Sequence, residues 1–260
     1  MVFLKFYTEN LKNREDKPLY NDFSMFYDEF AYDIPYEKFR DYYIKIFKKY
    51  DKNPEIVLDM CCGTGTLTSL MSENYDMIGI DSSVTMLDIA RNKDENGKIL
   101  YLCQSMEDFE LYGTVDCAYS SLDSVNYLLS DDKLEKHFKL MHNYLVPGGL
   151  YIFDISTKYK FKNVLGDNVF TDESEEAVFV WQNEYDGIYN TMYLDIFKKE
   201  EDGRYERISE IHIEKGYSVS DIKKVSKKCN FEFMGAYDEF TFDSPKKTSQ
   251  RIFFVLKCVK

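Results

Sequence analysis

Apolar positions along this chain switch between two spacings, and the switches mark its elements. From Tyr20 they fall at 20, 23, 27 and 30, steps of three and four that predict a helix, and Pro35 interrupts it. The same spacing returns at Tyr36, Phe39, Tyr43, Ile46 and Tyr50, so a second helix is expected before Asn53-Pro54. Ile56-Val57-Leu58 is a short unbroken apolar run that ends in Asp59, and it reads as a strand. A tight loop carrying Gly63 and Gly65 follows, and the segment beyond it can start a helix. Met77-Ile78-Gly79-Ile80 makes a second strand, which ends in Asp81. A short helix over 85–91 and strands over 99–103 and 115–120 come next. Asp132 with Glu135 resembles a helix start, and Leu134, Phe138, Met141 and Leu145 form one apolar stripe. Pro147-Gly148-Gly149 stops that helix ahead of a strand over 150–155.

Strands alternating with helices at these short intervals predict an α/β domain, a doubly wound and mostly parallel sheet with helices on both faces. The pattern then becomes alternation. Phe179, Trp181, Asn183 and Tyr185 lead to Asp186-Gly187, a second run covers 188–198, and a third covers 205–213 beyond Asp202-Gly203. Asp-Gly between alternating runs signals a hairpin, so an antiparallel insertion of three strands is expected. Ser218 with Asp221 can cap a last helix, and two strands near 231–237 and 252–259 close the chain.

Composition narrows the functional classes. At 260 residues, with 44% hydrophobic and 17% aromatic residues, the chain has ample material for a packed core. Its net charge of −13 opposes the attraction a nucleic-acid backbone exerts on Lys and Arg, so nucleic acid is not the expected partner. Residues 1–9 lack the apolar core of a secretory signal, and no apolar run approaches the ~20 residues of a membrane span. A cytoplasmic protein is expected. The six cysteines (61, 62, 103, 117, 229 and 258) show no CxxC pairing and read as reduced thiols. Cys61 and Cys62 near a helix start have two readings, as thiols of depressed pKa or as small residues filling a tight loop, and the second is preferred. His137, His142 and His212 are dispersed, which argues against a histidine metal cluster.

Candidate chemistry gathers at the first two strand ends. Gly63 and Gly65 let the backbone turn sharply and bring its N–H groups close to a ligand, and the helix beyond offers unpaired amides. Asp81, ending the next strand, is placed to accept hydrogen bonds from the two hydroxyls of a ribose. These features make a nucleoside-binding βαβ unit. The third glycine of a dinucleotide fingerprint is replaced by Thr68, which weakens a nicotinamide reading.

The ordered motifs resemble those of class I S-adenosylmethionine-dependent methyltransferases. Asp59-Met-Cys-Cys-Gly63-Thr-Gly65-Thr is similar to their first motif and Gly79-Ile-Asp81-Ser82-Ser-Val-Thr-Met86-Leu to their second. Val146-Pro-Gly-Gly-Leu resembles a later signature. Three segments resemble the small-molecule, glycine/sarcosine N-methyltransferase-like type: 20–28, Leu122-Asp123-Ser-Val-Asn126-Tyr127, and His212-Ile-Glu-Lys215-Gly-Tyr217, where Lys215 stands in place of the usual Arg. The resemblance implies a seven-stranded Rossmann-like core at 51–158 and 218–260, an N-terminal helical lid at 1–50 and a substrate cap at 159–217. It implies S-adenosyl-L-methionine as cofactor, a small amine as methyl acceptor, and a monomer or homodimer. On this resemblance Tyr20, Tyr27, Asp59, Cys61, Gly63, Gly65, Asp81, Ser82, Met86, Ser105, Met106 and Leu122 are expected around the cofactor. Ser105 replaces an acid that many relatives place at the adenine. Asp123 or His212 is expected to take up the acceptor's proton, with Asn126, Tyr127, Trp181 and Lys215 around the acceptor. The competing readings are a tRNA or protein methyltransferase and a non-catalytic S-adenosylmethionine-binding regulatory module.

Overall fold

A computed structural model describes residues 23–260. Seven strands form one sheet in the order β10-β11-β5-β4-β1-β2-β3. They are β1 (Ile56–Met60), β2 (Asp76–Asp81), β3 (Leu100–Cys103), β4 (Val115–Ser120), β5 (Leu145–Ser156), β10 (Phe231–Asp238) and β11 (Arg251–Cys258). Strands β1 to β5 pair in parallel, while β11 runs antiparallel to both β5 and β10. From β1 the chain fills β2 and β3 on one side and later β4 and β5 on the other. The strand order therefore reverses at β1/β4, the place where open α/β sheets leave a crevice at their carboxyl ends.

Alternation along each strand sorts the core into two layers. Leu58 and Met60 of β1 pack with Phe138, Met141, Ile222 and Val225, on helices α5 (Asp131–Tyr144) and α6 (Val219–Lys228). Val57 packs on the opposite face with Phe39, Tyr43 and Ile46 of α2 (Tyr36–Lys49), Leu67 of α3 (Thr66–Ser72) and Leu87 of α4 (Val84–Lys93). Helix α2, expected in a lid, is thus a layer of the core, its Tyr43 and Ile46 fully buried. Helix α1 (Ser24–Phe30) lies off the main sheet.

The inserted sheet has four strands where three were expected, in the order β6-β7-β8-β9. These are β6 (Val169–Glu173), β7 (Ala177–Tyr185), β8 (Tyr189–Lys199) and β9 (Tyr205–Lys215). The extra strand, β6, carries two acids in five residues and is mostly exposed, so it lacks the apolar alternation that marks the others. Helix α1 packs on this sheet: Phe23 and Phe26 cluster with Ala177 and Ile196, and Phe30 stacks on Phe179 at 5.1 Å between ring centres. Ser218 and Asp221 form the expected capping box of α6. Helix α5 starts two residues earlier than the Asp132/Glu135 pair suggested, with Ser130 as its cap.

Candidate functional site

The crevice at the strand-order reversal opens into a cavity of about 480 Å³. Its floor is the β1–α3 loop. Cys61, Gly63 and Gly65 all have positive φ (64°, 54° and 73°), so three of five successive residues are left-handed. The two glycines serve different ends. A Cβ on Gly63 would meet nothing within 4 Å, and Gly63 lies on the cavity wall. A Cβ on Gly65 would come within 2.6 Å of the Tyr101 hydroxyl and 2.8 Å of the Ala90 Cβ. Gly65 is therefore needed for packing and lies off the cavity wall, although its motif placed it at the cofactor.

Two carboxylates flank the loop. Asp81 accepts from the Gly63 N–H at 2.9 Å through one oxygen and from the Ser83 N–H at 2.9 Å through the other, joining the β1 and β2 tips. Burial raises its pKa. Asp59, 2% exposed, accepts from the Thr68 hydroxyl (2.6 Å) and the Tyr119 hydroxyl (3.0 Å). Burial outweighs those bonds and pushes its pKa up to about 7, with Asp81 adding to the rise. Burial likewise lifts the Cys61 and Cys62 thiols well above their ordinary value, so neither is a depressed-pKa thiol.

Ser82, Met86, Ser105, Met106 and Leu122 line the cavity as expected, with Tyr27 from α1. Leu122 and Asp123 are both left-handed, at φ 56°. Their N–H groups donate to the two oxygens of Asp154 at 2.9 and 3.0 Å, which pins the turn that carries Leu122 on the cavity wall. Ser105 accepts from the Glu107 N–H, and Glu107 is itself on the wall, its carboxylate 2.9 Å from Lys133 Nζ. An acid thus stands two residues after the position where it was missed.

Several expected site residues are engaged elsewhere. Asp123 does not line the cavity. Its carboxylate accepts from Ser156 Oγ and faces Arg251 (3.3 Å) and Lys160 (3.7 Å). Burial works against its charge, yet those two cations outweigh it and hold its pKa below the usual range, which makes it a weaker base than an ordinary carboxylate. Asn126 is fully buried and ties three segments together: its amide donates to the Ser156 and Lys215 carbonyls and its oxygen accepts from the Ser156 N–H. Lys215 pairs with Asp131 at 2.7 Å, off the cavity wall. Trp181 packs on Phe170 in the inserted sheet, also away from the wall. Tyr127 does line the cavity. His212 is 1% exposed and off the wall, its Nδ1 bonded to the Tyr127 hydroxyl at 3.0 Å. Tyr20 lies outside the described residues.

The pattern missed other wall residues. Tyr36, the first residue of α2, has its pKa pushed up to about 12 by burial, against a hydrogen bond with Tyr27. Thr64 and Thr66 follow the glycines, and Ser121, Ser124 and Leu129 follow β4. Ile211 and Ile213 flank His212, so strand alternation alone put them on the face opposite the histidine, which was the signal available for finding them. Among the described residues no group of three or more His, Cys, Asp or Glu side chains could hold a metal ion, and no helix is long and apolar enough to cross a membrane.

A nucleoside cofactor fits this wall, since Gly63 leaves open space beneath it and Asp81 presents a carboxylate with unused lone pairs at the β2 tip. Known proteins bear on which one. Residues 57–149 match the model of a methyltransferase domain family. A candidate methyltransferase of Geobacillus sp. (strain WCH70) is 30% identical over 244 residues, 92% of this chain and 99% of that one. The crystal structure of an S-adenosylmethionine-dependent methyltransferase from Clostridium acetobutylicum superposes with a TM-score of 0.83 at 30% identity, covering 94% of this chain and 100% of the other. At 17% identity, the sugar N-methyltransferase KedS8 from Streptoalloteichus shares the fold, with a TM-score of 0.76 over 90% of this chain and 93% of its own. The two relatives at 30% identity cover more than nine-tenths of the chain, and on them and the family match this chain belongs to the class I S-adenosylmethionine-dependent methyltransferases.

Proposed function

We propose that the acceptor is a small molecule methylated on an amine nitrogen. The observation that carries this reading is the size of the cavity. About 480 Å³, inside the ordinary small-molecule range of ~300–1,000 Å³, has to hold cofactor and acceptor together. The lid helix α1 seats on the inserted sheet through Phe23, Phe26 and Phe30, and its Tyr27 borders the cavity. The net charge of −13 also disfavours a nucleic-acid acceptor. The fold shared with KedS8, a sugar N-methyltransferase, is consistent with an amine.

In this reading Asp81 accepts from the ribose hydroxyls, Ser105, Met106 and Glu107 present the edge for adenine, and Met86 packs on its ring. Asp59 faces the cofactor's ammonium and the Leu122 carbonyl lies near the sulfonium. Tyr27, Tyr36, Tyr127, Leu129, Ile211 and Ile213 wall the acceptor space. S-adenosylmethionine, when bound, supplies a methyl group on a positively charged sulfur that leaves readily. What remains for the protein is alignment and exclusion of water. The test is product formation by the purified protein with S-adenosylmethionine and a panel of amino acids, amino sugars and their hydroxy analogues. Methylated amines are expected; methylation of the hydroxy compounds alone would overturn the nitrogen assignment.

A further inference from the structure

The wall carries a hydrogen-bonded chain that the cofactor does not need. Tyr127 borders the cavity, and its hydroxyl lies 3.0 Å from His212 Nδ1. The other ring nitrogen, Nε2, lies 3.1 Å from Glu210 Oε2. The second Glu210 oxygen accepts from the Phe23 N–H at 3.1 Å, and the Phe23 ring packs edge-on against the imidazole, 6.3 Å between centres. His212 is 1% exposed and off the cavity wall, and among the described residues Tyr127 is the wall residue hydrogen-bonded to it. The three side chains come from two places far apart in sequence, the 3₁₀ turn Ser124–Tyr127 and β9, and Phe23 begins the lid.

An acidic partner fixes the tautomer of a neutral histidine. With Glu210 accepting from Nε2–H, Nδ1 carries the lone pair and accepts from the Tyr127 O–H. We propose that Tyr127, His212 and Glu210 form a proton relay that takes the proton from the acceptor nitrogen. This rests on the amine reading above, because an ammonium has no lone pair to attack with and must first lose a proton. The acceptor N–H bond breaks and a new O–H bond forms on Tyr127. At the same time the original Tyr127 O–H proton passes to His212 Nδ1. The neutral imidazole becomes imidazolium, opposite Glu210, and the proton leaves to solvent after turnover. Tyr127 is the catalytic group; His212 and Glu210 are positioning residues that act through it. Because Glu210 is held by Phe23, the relay is complete when the lid is seated.

Nitrogen-15 NMR of histidine-labelled protein reads this directly, with the His212 signals assigned by their loss in His212→Asn. The relay requires the Nε2–H tautomer at His212, shifting toward a mixture in Glu210→Ala. An Nδ1–H tautomer overturns it, since the ring would then donate to Tyr127 and could not receive its proton. The second arm uses an amine that the wild type methylates. Tyr127→Phe and His212→Asn should each lower kcat by about 10²-fold, the usual scale of general-base catalysis, with KM and S-adenosylhomocysteine affinity within about twofold. Unchanged kcat in either variant overturns the relay. If the wild type methylates no amine, the acceptor assignment falls and the relay falls with it, whereas an Nδ1–H tautomer in a protein that does methylate amines overturns the relay alone.

Discussion

Asp59 is a carboxyl set against its own ionisation. Its ordinary pKa of 3.8 rises to about 7 in the fold, chiefly through burial. Between those two values the folded chain binds more protons than the unfolded one, so stability falls as pH rises from 3.8 to about 7 and levels off above it. Asp59→Asn should remove this loss. Urea unfolding at pH 8 is expected to show the variant more stable by a few kcal/mol, with the difference vanishing near pH 4. If Asp59 meets the cofactor's ammonium as proposed, binding will drive it to the charged form. Calorimetry at pH 7 in buffers of different ionisation enthalpy should then find about half a proton released per S-adenosylhomocysteine bound in the wild type and none in the variant. At this scale the sequence was legible where a motif fixes the backbone, as at Asp59, Gly63 and Asp81. It misled where a side chain's partner is remote. Nothing near Asp123 in the chain shows that Arg251, 128 residues away, takes its charge, and nothing near Asn126 shows the Ser156 and Lys215 backbones it clasps.

Among elements, the β1–α3 loop and the lid carry the most consequence. The two loop glycines predict opposite phenotypes. Gly63→Ala places a Cβ in open cavity space at a left-handed φ of 54°, so stability should drop by only about 1–2 kcal/mol while cofactor affinity falls sharply. Gly65→Ala adds collisions with Tyr101 and with Ala90, whose backbone Cα would lie at 3.3 Å, and should cost several kcal/mol in a melt or denaturant titration. The lid is latched to this loop. Asp28 of α1 accepts from the Thr64 hydroxyl at 2.7 Å and pairs with Lys93 at 2.6 Å, and Lys93 also donates to Thr66. Half-exposed pairs of this kind contribute ~0–1 kcal/mol, so Asp28→Ala should leave the melting temperature nearly unchanged. Stopped-flow release of S-adenosylhomocysteine should speed up by roughly 2- to 5-fold, and an unchanged release rate would remove Asp28 from the closure. The latch could not be read from the sequence, because Asp28, Thr64 and Lys93 sit on three elements with no shared spacing. The same holds for β6, whose register against β7 is set by the partner strand more than by its own apolar pattern.

For the molecule as a whole, hydrophobic periodicity was sufficient to give the α/β class, the seven strands of the main sheet and the antiparallel character of the insertion, since each buried face repeats at the period of its element. Periodicity did not say which helices belong to the core. Helix α2 reads like α1 in its spacing, yet Phe39, Tyr43 and Ile46 bury themselves against β4 and β11 while α1 docks on the inserted sheet. That division matters to function, because among the described residues α1 and the first residue of α2 border a cavity framed by the tips of β1, β2 and β4 and by the insertion. The central claim is that these strand tips hold the adenosyl group, with Asp81 on its ribose. It is tested most directly by calorimetric titration of S-adenosylhomocysteine into the wild type and into Asp81→Ala. One-to-one binding in the micromolar range is expected for the wild type. In the variant, affinity should be weaker by about 100-fold, the effect of losing two charge-assisted hydrogen bonds. Equal affinity in the two proteins would contradict the account.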